Sequence, residues 1–163
     1  MIDAMVVDSP VGPLELASDG ERLTHVSFLD DAQAPGEGAH AAVAVLAEVK
    51  RQLEQYFTGE LTSFHLPLAA AGTEFQQRVW AELWAIPYGQ TVSYKEVAAR
   101  LGLAPGASRA VGLANGANPI PIIVPCHRVV GADGTLTGYG GGLERKRFLL
   151  DLEKPVTQAT LFD

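Results

Sequence analysis

The sequence predicts an α/β N-terminal domain, a small antiparallel sheet followed by a helix, and then a mainly α C-terminal domain with a helix-turn-helix. Three observations carry this. Up to residue 29 the apolar residues come in short runs broken by Pro and Gly, and from residue 41 they recur at helical spacing. After residue 72, two capping-box patterns open successive apolar-periodic segments, Thr73-Glu74-Phe75-Gln76 and Ser93-Tyr94-Lys95-Glu96. Charge also divides the chain. Residues 1–72 hold three Lys/Arg against eleven Asp/Glu, net −8, whereas residues 73–163 hold nine against eight, net +1. The expected domains are therefore 1–72 and 73–163.

In chain order, Ala4-Met5-Val6-Val7, Leu14-Glu15-Leu16-Ala17 and Leu23 to Leu29 read as two or three antiparallel strands, with Leu14–Ala17 as the middle one. Pro10, Gly12, Pro13 and Asp19-Gly20 supply the turns between them. Residues 30–40, acidic and carrying Pro35, Gly36 and Gly38, read as a surface loop. A helix is expected over 41–57, with Val45, Val49, Leu53 and Tyr56 on its apolar face, and a connector over 59–72. The first capped helix presents Val79, Trp80, Leu83 and Trp84, aromatic residues read as core, and stops before Pro87. The second runs to about Leu101, where Gly102 ends it. Pro105 is tolerated in the first turn of a helix, and a small-residue helix is expected from Ala107 to about Ala114. Arg128-Val129-Val130 and Gly131–Gly134 read as a small hairpin, and 136–142 as a glycine-rich loop. Leu143–Leu152 reads as a helix with Arg145, Lys146 and Arg147 on its polar side, and 155–163 as a loosely ordered tail.

The helix pair flanking Gly102 has helix-turn-helix spacing, a pattern shared by many pairs that merely pack. Its second member, Ser108 to Gly116, carries Ala and Gly residues that leave its surface flat and narrow, as a DNA minor groove requires, with Arg109 near its start. On pattern alone a tightly packed internal helix fits equally well. Within 94–128 the charge is net +3, so a basic face exists despite a net charge of −7 overall.

The chemistry concentrates at Pro125-Cys126-His127-Arg128. Cys126 is the only cysteine. The three prolines at 119, 121 and 125 exclude a helix before it, so the apolar run 118–125 reads as a stiff, buried, extended segment that fixes a thiol in place. An unreactive buried cysteine is the commoner case. A flanking imidazole and guanidinium, costly to bury without a role, favour a nucleophile. Neighbours on an extended segment face opposite ways, so His127 would reach Cys126 through a water.

Composition excludes other classes. One cysteine permits no internal disulfide and no cysteine-rich zinc site. The scattered His25, His40 and His65 make no metal set, no Walker phosphate loop is present, and no apolar run is long enough to cross a membrane. The N-terminus lacks a secretory signal pattern. A cytoplasmic protein with a free thiol, without metal or cofactor, is expected.

Asn118-Pro119 ahead of Ile123-Val124-Pro125-Cys126-His127-Arg128-Val129-Val130, with Arg109-Ala110-Val111-Gly112 upstream and Tyr139-Gly140-Gly141-Gly142 downstream, resembles the 6-O-alkylguanine-DNA alkyltransferases. The resemblance is clear from about Thr73 to Glu153. It implies a ribonuclease-H-like N-terminal domain and a winged-helix-like C-terminal domain. It also implies irreversible, once-only transfer of an alkyl group from O6-alkylguanine, and from O4-alkylthymine, to Cys126. By resemblance, His127 takes the thiol proton through water and Glu153 polarises His127. Tyr94 assists the leaving guanine and rotates the phosphate, and Asn118 organises the active-site turn. Arg109 fills the space of the flipped base. Ala110, Gly112, Asn115 and Arg128 join Tyr94 and Arg109 on DNA, and Val129, Tyr139 and Gly140 form the base pocket. The implied partner is double-stranded DNA, bound through its minor groove by a protein that is monomeric in solution, with cooperative binding left open.

Overall fold

The computed structural model describes residues 3–29 and 44–154. The loop expected at 30–40, the start of the helix expected from Ala41, and the tail from Pro155 lie outside the described residues. Three strands, β1 (Asp3–Val7), β2 (Leu14–Ser18) and β3 (Leu23–Phe28), form an antiparallel sheet with β2 in the centre. Leu14 pairs with Val7 on one side and Phe28 on the other, so the expected order holds. Helix α1 (Ala44–Phe57) lays Leu46, Val49, Leu53 and Tyr56 into the core, with Leu46 rather than Val45 completing the buried stripe.

The free edge of β3 is what joins the two halves. Leu23 N–H donates to Pro67 O and Ala69 N–H to Leu23 O, so the connector runs along this edge. Three residues on, Val26 N–H donates to Pro119 O, 3.0 Å away, at the head of the cysteine segment. An unpaired sheet edge is thus covered by the chain that carries the chemistry.

Both capping boxes form. The Thr73 and Ser93 side chains accept from the N–H groups of Gln76 and Glu96, whose side chains reach back to the cap N–H. They start α2 (Glu74–Trp84) and, directly after the two-residue strand β4 (Val92–Ser93), α3 (Tyr94–Arg100). Gly102 turns the chain at φ 73°, and after one 3-10 turn at Pro105–Ala107 comes α4 (Ser108–Gly116). Trp80, buried on α2, donates its indole N–H to Ala114 O at 2.8 Å and fixes the end of α4. Trp84 does not join the core as expected: it is 45% exposed, one position beyond the buried Val79–Trp80–Leu83 face.

Three further expectations are corrected. The run 118–125 is not extended but a chain of tight turns, closed by the side chain of Asn118. Val129–Val130, as β5, forms no hairpin; it pairs in parallel with Val92–Ser93 of β4. Helix α5 (Leu143–Glu153) does not hold its three basic residues on a polar side, because Lys146 is fully buried. Successive helical residues turn by about 100°, so three cannot share one face. Lys146, Leu149 and Glu153, at i, i+3 and i+7, form the inward face. None of the described helices is long and apolar enough to cross a membrane.

Candidate active site

Asn118 builds the turn that carries the nucleophile. Its Oδ1 accepts from Ile120 N–H at 3.0 Å and its Nδ2 donates to Val124 O at 2.8 Å, so one side chain closes both ends of the loop. Inside it, Ile123 N–H bonds to Pro121 O across Ile122, which sits at φ 72°. A β-branched residue there stores strain on the order of 1–3 kcal/mol, held by the surrounding bonds. Pro125, at φ −80° and ψ 66°, centres an inverse γ-turn in which Cys126 N–H bonds to Val124 O at 2.7 Å. The prolines favour these turns, and Cys126–Arg128 continues as one 3-10 turn.

That turn gives Cys126, His127 and Arg128 different surroundings. His127 Nε2 lies 2.7 Å from Glu153 Oε2. Arg128 grips the same carboxylate with two bonds, Nε to Oε1 at 2.7 Å and Nη2 to Oε2 at 3.0 Å, and donates Nη1 to Ile86 O. Tyr56, from α1, donates its hydroxyl to Oε2 at 2.6 Å. All four side chains are buried. Burial alone would raise the Glu153 carboxyl, but the bonds from His127 and Arg128 outweigh it and hold it at about 2. Glu153 is therefore ionised and already neutralised by Arg128. A second cation would leave net charge in the core, and burial keeps His127 below its ordinary value, hence neutral. It donates Nε2–H to Glu153, leaving Nδ1 as an acceptor that has no hydrogen-bond partner among the described residues. The thiol itself is pushed up to about 11 by burial, which the Asn118 amide and the Lys146 ammonium offset only in part. At neutral pH it is a protonated thiol beside a neutral imidazole.

Cys126 opens into a cavity of about 240 Å³. Asn115, Asn118 and Pro121 line one side, the loop Gly138–Gly141 with Tyr139 another, and His25 to Phe28 of β3 a third. Phe28 props the loop. Its ring meets Tyr139 edge-on at 5.9 Å, Arg145 lies over it at 5.0 Å, and a Cβ at Gly141 would come within 2.7 Å of it. Lys146 holds the same loop from inside, donating to Thr137 O and Val129 O. A shallower depression adjoins this cavity and shares Gly116, Gly138, Tyr139 and Gly140 with it; Tyr94, Arg109, Gly112 and Leu113 line its floor. Gly112 passes the Tyr94 ring closely, and a Cβ there would lie 3.7 Å from it. Tyr94 accepts a bond from the Thr137 hydroxyl at 3.0 Å, which leaves its own O–H to donate.

The structure thus brings together Cys126, His127, Glu153 and Asn118, and sets Tyr94, Arg109, Gly112, Tyr139 and Gly140 around the opening, with Ala110 exposed on the same helix. It does not place three others as expected. Arg128 is buried on Glu153 and is no DNA contact. Asn115 is buried too, donating Nδ2 to Cys126 O at 3.3 Å inside the cavity rather than on the outer helix face. Val129 is fully buried under the site, and its side chain lines neither depression. Sequence reasoning missed Tyr56, Phe28 and Lys146. Only Lys146 left a signal, its helical spacing to Glu153.

Two family models match the chain. Residues 4–70 match the ribonuclease-like domain of 6-O-methylguanine DNA methyltransferase, and residues 74–155 its DNA-binding domain. The chain belongs to the 6-O-methylguanine DNA methyltransferase family. A methylated-DNA–protein-cysteine methyltransferase of Mycobacterium leprae is 55% identical over the full length of both chains. The crystal structure of Mycobacterium tuberculosis O6-methylguanine methyltransferase is 52% identical and superposes with a TM-score of 0.83 over the whole of both chains. That of Mycobacterium tuberculosis OGT in complex with DNA is 53% identical, with a TM-score of 0.82 and 99% of each chain covered. As a member of this family the chain is a DNA repair methyltransferase. DNA is its partner, and it transfers the alkyl group irreversibly to its own cysteine, one event per molecule.

Proposed function

We propose that Cys126 is the acceptor, that O6-alkylguanine flipped from the duplex enters the 240 Å³ cavity beside it, and that α4 meets the minor groove. The carrying observation is that the chain's single thiol lines this cavity and is followed in sequence by an imidazole whose Nδ1 has no partner among the described residues. The target carbon lies within a base-paired stack, so the nucleotide must be extruded, at a cost of a few kcal/mol. Arg109, exposed on the first turn of α4, offsets part of that by filling the vacated space.

The chemistry is one displacement. The thiol proton passes to His127 Nδ1, through a bridging water, while Glu153 holds the ring by Nε2. The sulfur forms a bond to the alkyl carbon, the carbon–O6 bond breaks, and its electron pair stays on the purine. A proton from the Tyr94 hydroxyl then restores neutral guanine. A thioether is neither hydrolysed nor exchanged like a disulfide, and the chain has no second cysteine, so each molecule reacts once. O4-alkylthymine is a second substrate of the same reaction. In this reading 1–72 frames the pocket and 73–163 binds DNA and reacts, in a cytoplasmic monomer.

Incubation with duplex DNA carrying O6-methylguanine, followed by intact-mass measurement and peptide mapping, tests this. The expected result is one methyl group per molecule, located on Cys126, with a plateau set by protein concentration. A methyl group elsewhere, or product well beyond one equivalent, overturns it.

A further inference from the structure

Two adjacent residues of α5 hold the two ends of the glycine-rich loop. Lys146 turns inward and bonds to Thr137 O, while Arg145 reaches Gly141 O and, at the same time, the N-terminal part of the chain. Its Nε donates to Val11 O at 2.8 Å, in the turn between β1 and β2, and its Nη1 donates to Gly141 O at 3.2 Å. The guanidinium lies over the Phe28 ring at 5.0 Å, and the same ring meets Tyr139 edge-on. The seat is close-fitting. A Cβ on Gly12 would come within 3.3 Å of Arg145 Nη2, and one on Gly141 within 2.7 Å of the Phe28 ring. The reaction gives Arg145 no task. A planar fork that also stacks can serve two carbonyls and a ring together, which an ammonium cannot.

We propose that Arg145 is a positioning residue: by clamping Gly141 to Val11 and Phe28, it uses the N-terminal domain to hold the loop 138–142, and with it Tyr139, in place beside Cys126. Four of the five residues in this loop are glycine, so it has little stiffness of its own. The bond from Gly142 N–H to Tyr139 O, at 2.9 Å, closes a turn around Gly141 and passes the constraint on to Tyr139. Without the clamp the loop has to be ordered each time a nucleotide enters, at a cost in conformational entropy. With it, that ordering is complete once the protein has folded, which is preorganisation. The N-terminal domain thereby acts on the reaction without touching the reacting atoms. This rests on the reading that the cavity beside Cys126 receives the base.

Three variants test it: Arg145→Met, which keeps the stem and removes the fork, Arg145→Lys, which keeps the charge, and Phe28→Leu, which removes the ring from the N-terminal side. Each should lower the maximal single-turnover rate of transfer from duplex DNA carrying O6-methylguanine by about ten- to a hundredfold, the effect of a misplaced site. Alkylation of Cys126 by iodoacetamide, which needs no nucleotide in the cavity, should not fall in the same preparations. Amide hydrogen exchange should speed up by about tenfold or more at 138–142 and stay unchanged in α4. The double variant Phe28→Leu/Arg145→Met should lose no more than the worse single one, because both changes open one clamp. Arg145→Lys at the wild-type rate overturns the inference, since charge alone would then suffice. So do unchanged exchange in the loop, losses that multiply in the double variant, or transfer and iodoacetamide rates that fall together, which is general damage. Absence of transfer from O6-methylguanine by the wild type would instead refute the reading on which the inference rests.

Discussion

At Cys126, burial and reactivity pull in opposite directions. Burial shuts the thiol away from water and raises it to about 11, so the reactive thiolate is scarce at rest. The neighbouring imidazole makes up the difference, since it is neutral and its Nδ1 is unbonded. The thiol therefore reacts when a substrate alkyl carbon reaches it and its proton has somewhere to go. Cys126→Ser should abolish transfer and leave duplex binding within about twofold, because the thiol faces the cavity rather than the phosphates; gel-shift and transfer assays on one preparation check both. Arg109 is exposed at the start of α4, and the proposed function assigns it to the extrusion step alone. Arg109→Ala should slow repair of duplex DNA by about ten- to a hundredfold, the share of unstacking cost it offsets, and slow reaction with free alkylguanine far less. An equal loss on both substrates would make Arg109 a structural residue.

At the scale of elements, the N-terminal part enters the active site through two of them. Strand β3 supplies a wall of the cavity, and α1 supplies the Tyr56 hydroxyl on Glu153. Tyr56 withdraws part of the carboxylate's charge from His127, sharing Oε2 with Nε2–H. Tyr56→Phe returns that charge to the imidazole, so His127 should protonate at higher pH. The acid limb of the transfer rate should then move up in pH, with a stability loss of roughly 2 kcal/mol for the missing bond. A stability loss with an unmoved pH profile would make Tyr56 a packing residue only. These links were not legible in the sequence, whereas the strands, the capping boxes, α3 and α4 were. The legible features are decided within a few residues: Thr73 meets Gln76, Ser93 meets Glu96, and Gly102 supplies its own positive φ. Arg128 and Lys146 look like surface cations until Glu153, Ile86 O and Val129 O, 17 to 42 residues away, are brought to them. The same holds for Val129–Val130, whose partner is β4, and for the cysteine turn, which Asn118 closes from six residues back. The motif around Cys126 was legible through its resemblance to a family, while its turn geometry was not.

Across the whole molecule, the buried cluster that joins α1, the cysteine turn and α5 is also its acid-sensitive point. His127 has a folded value below its ordinary 6.5, so the unfolded chain takes up the proton first. Its contribution is present above about pH 6.5 and is lost as pH falls through the depressed folded value. Glu153 drops from 4.5 unfolded to about 2 folded. Its contribution, on the order of 3 kcal/mol, is present above pH 4.5 and lost between there and about pH 2. Asp19, Glu48 and Asp133 are also held down, with the same sign, but they lie at the surface, where salt screens them. Thermal unfolding should therefore show Tm steady from neutral pH to about 6.5 and falling below it, with the steeper fall under 4.5. Raising salt should remove the surface share and leave the buried one. Glu153→Gln should be less stable at neutral pH, and its Tm should change less between pH 4.5 and 2. A wild-type profile that high salt flattens completely would place the acid response at the surface and not in the cluster around Glu153.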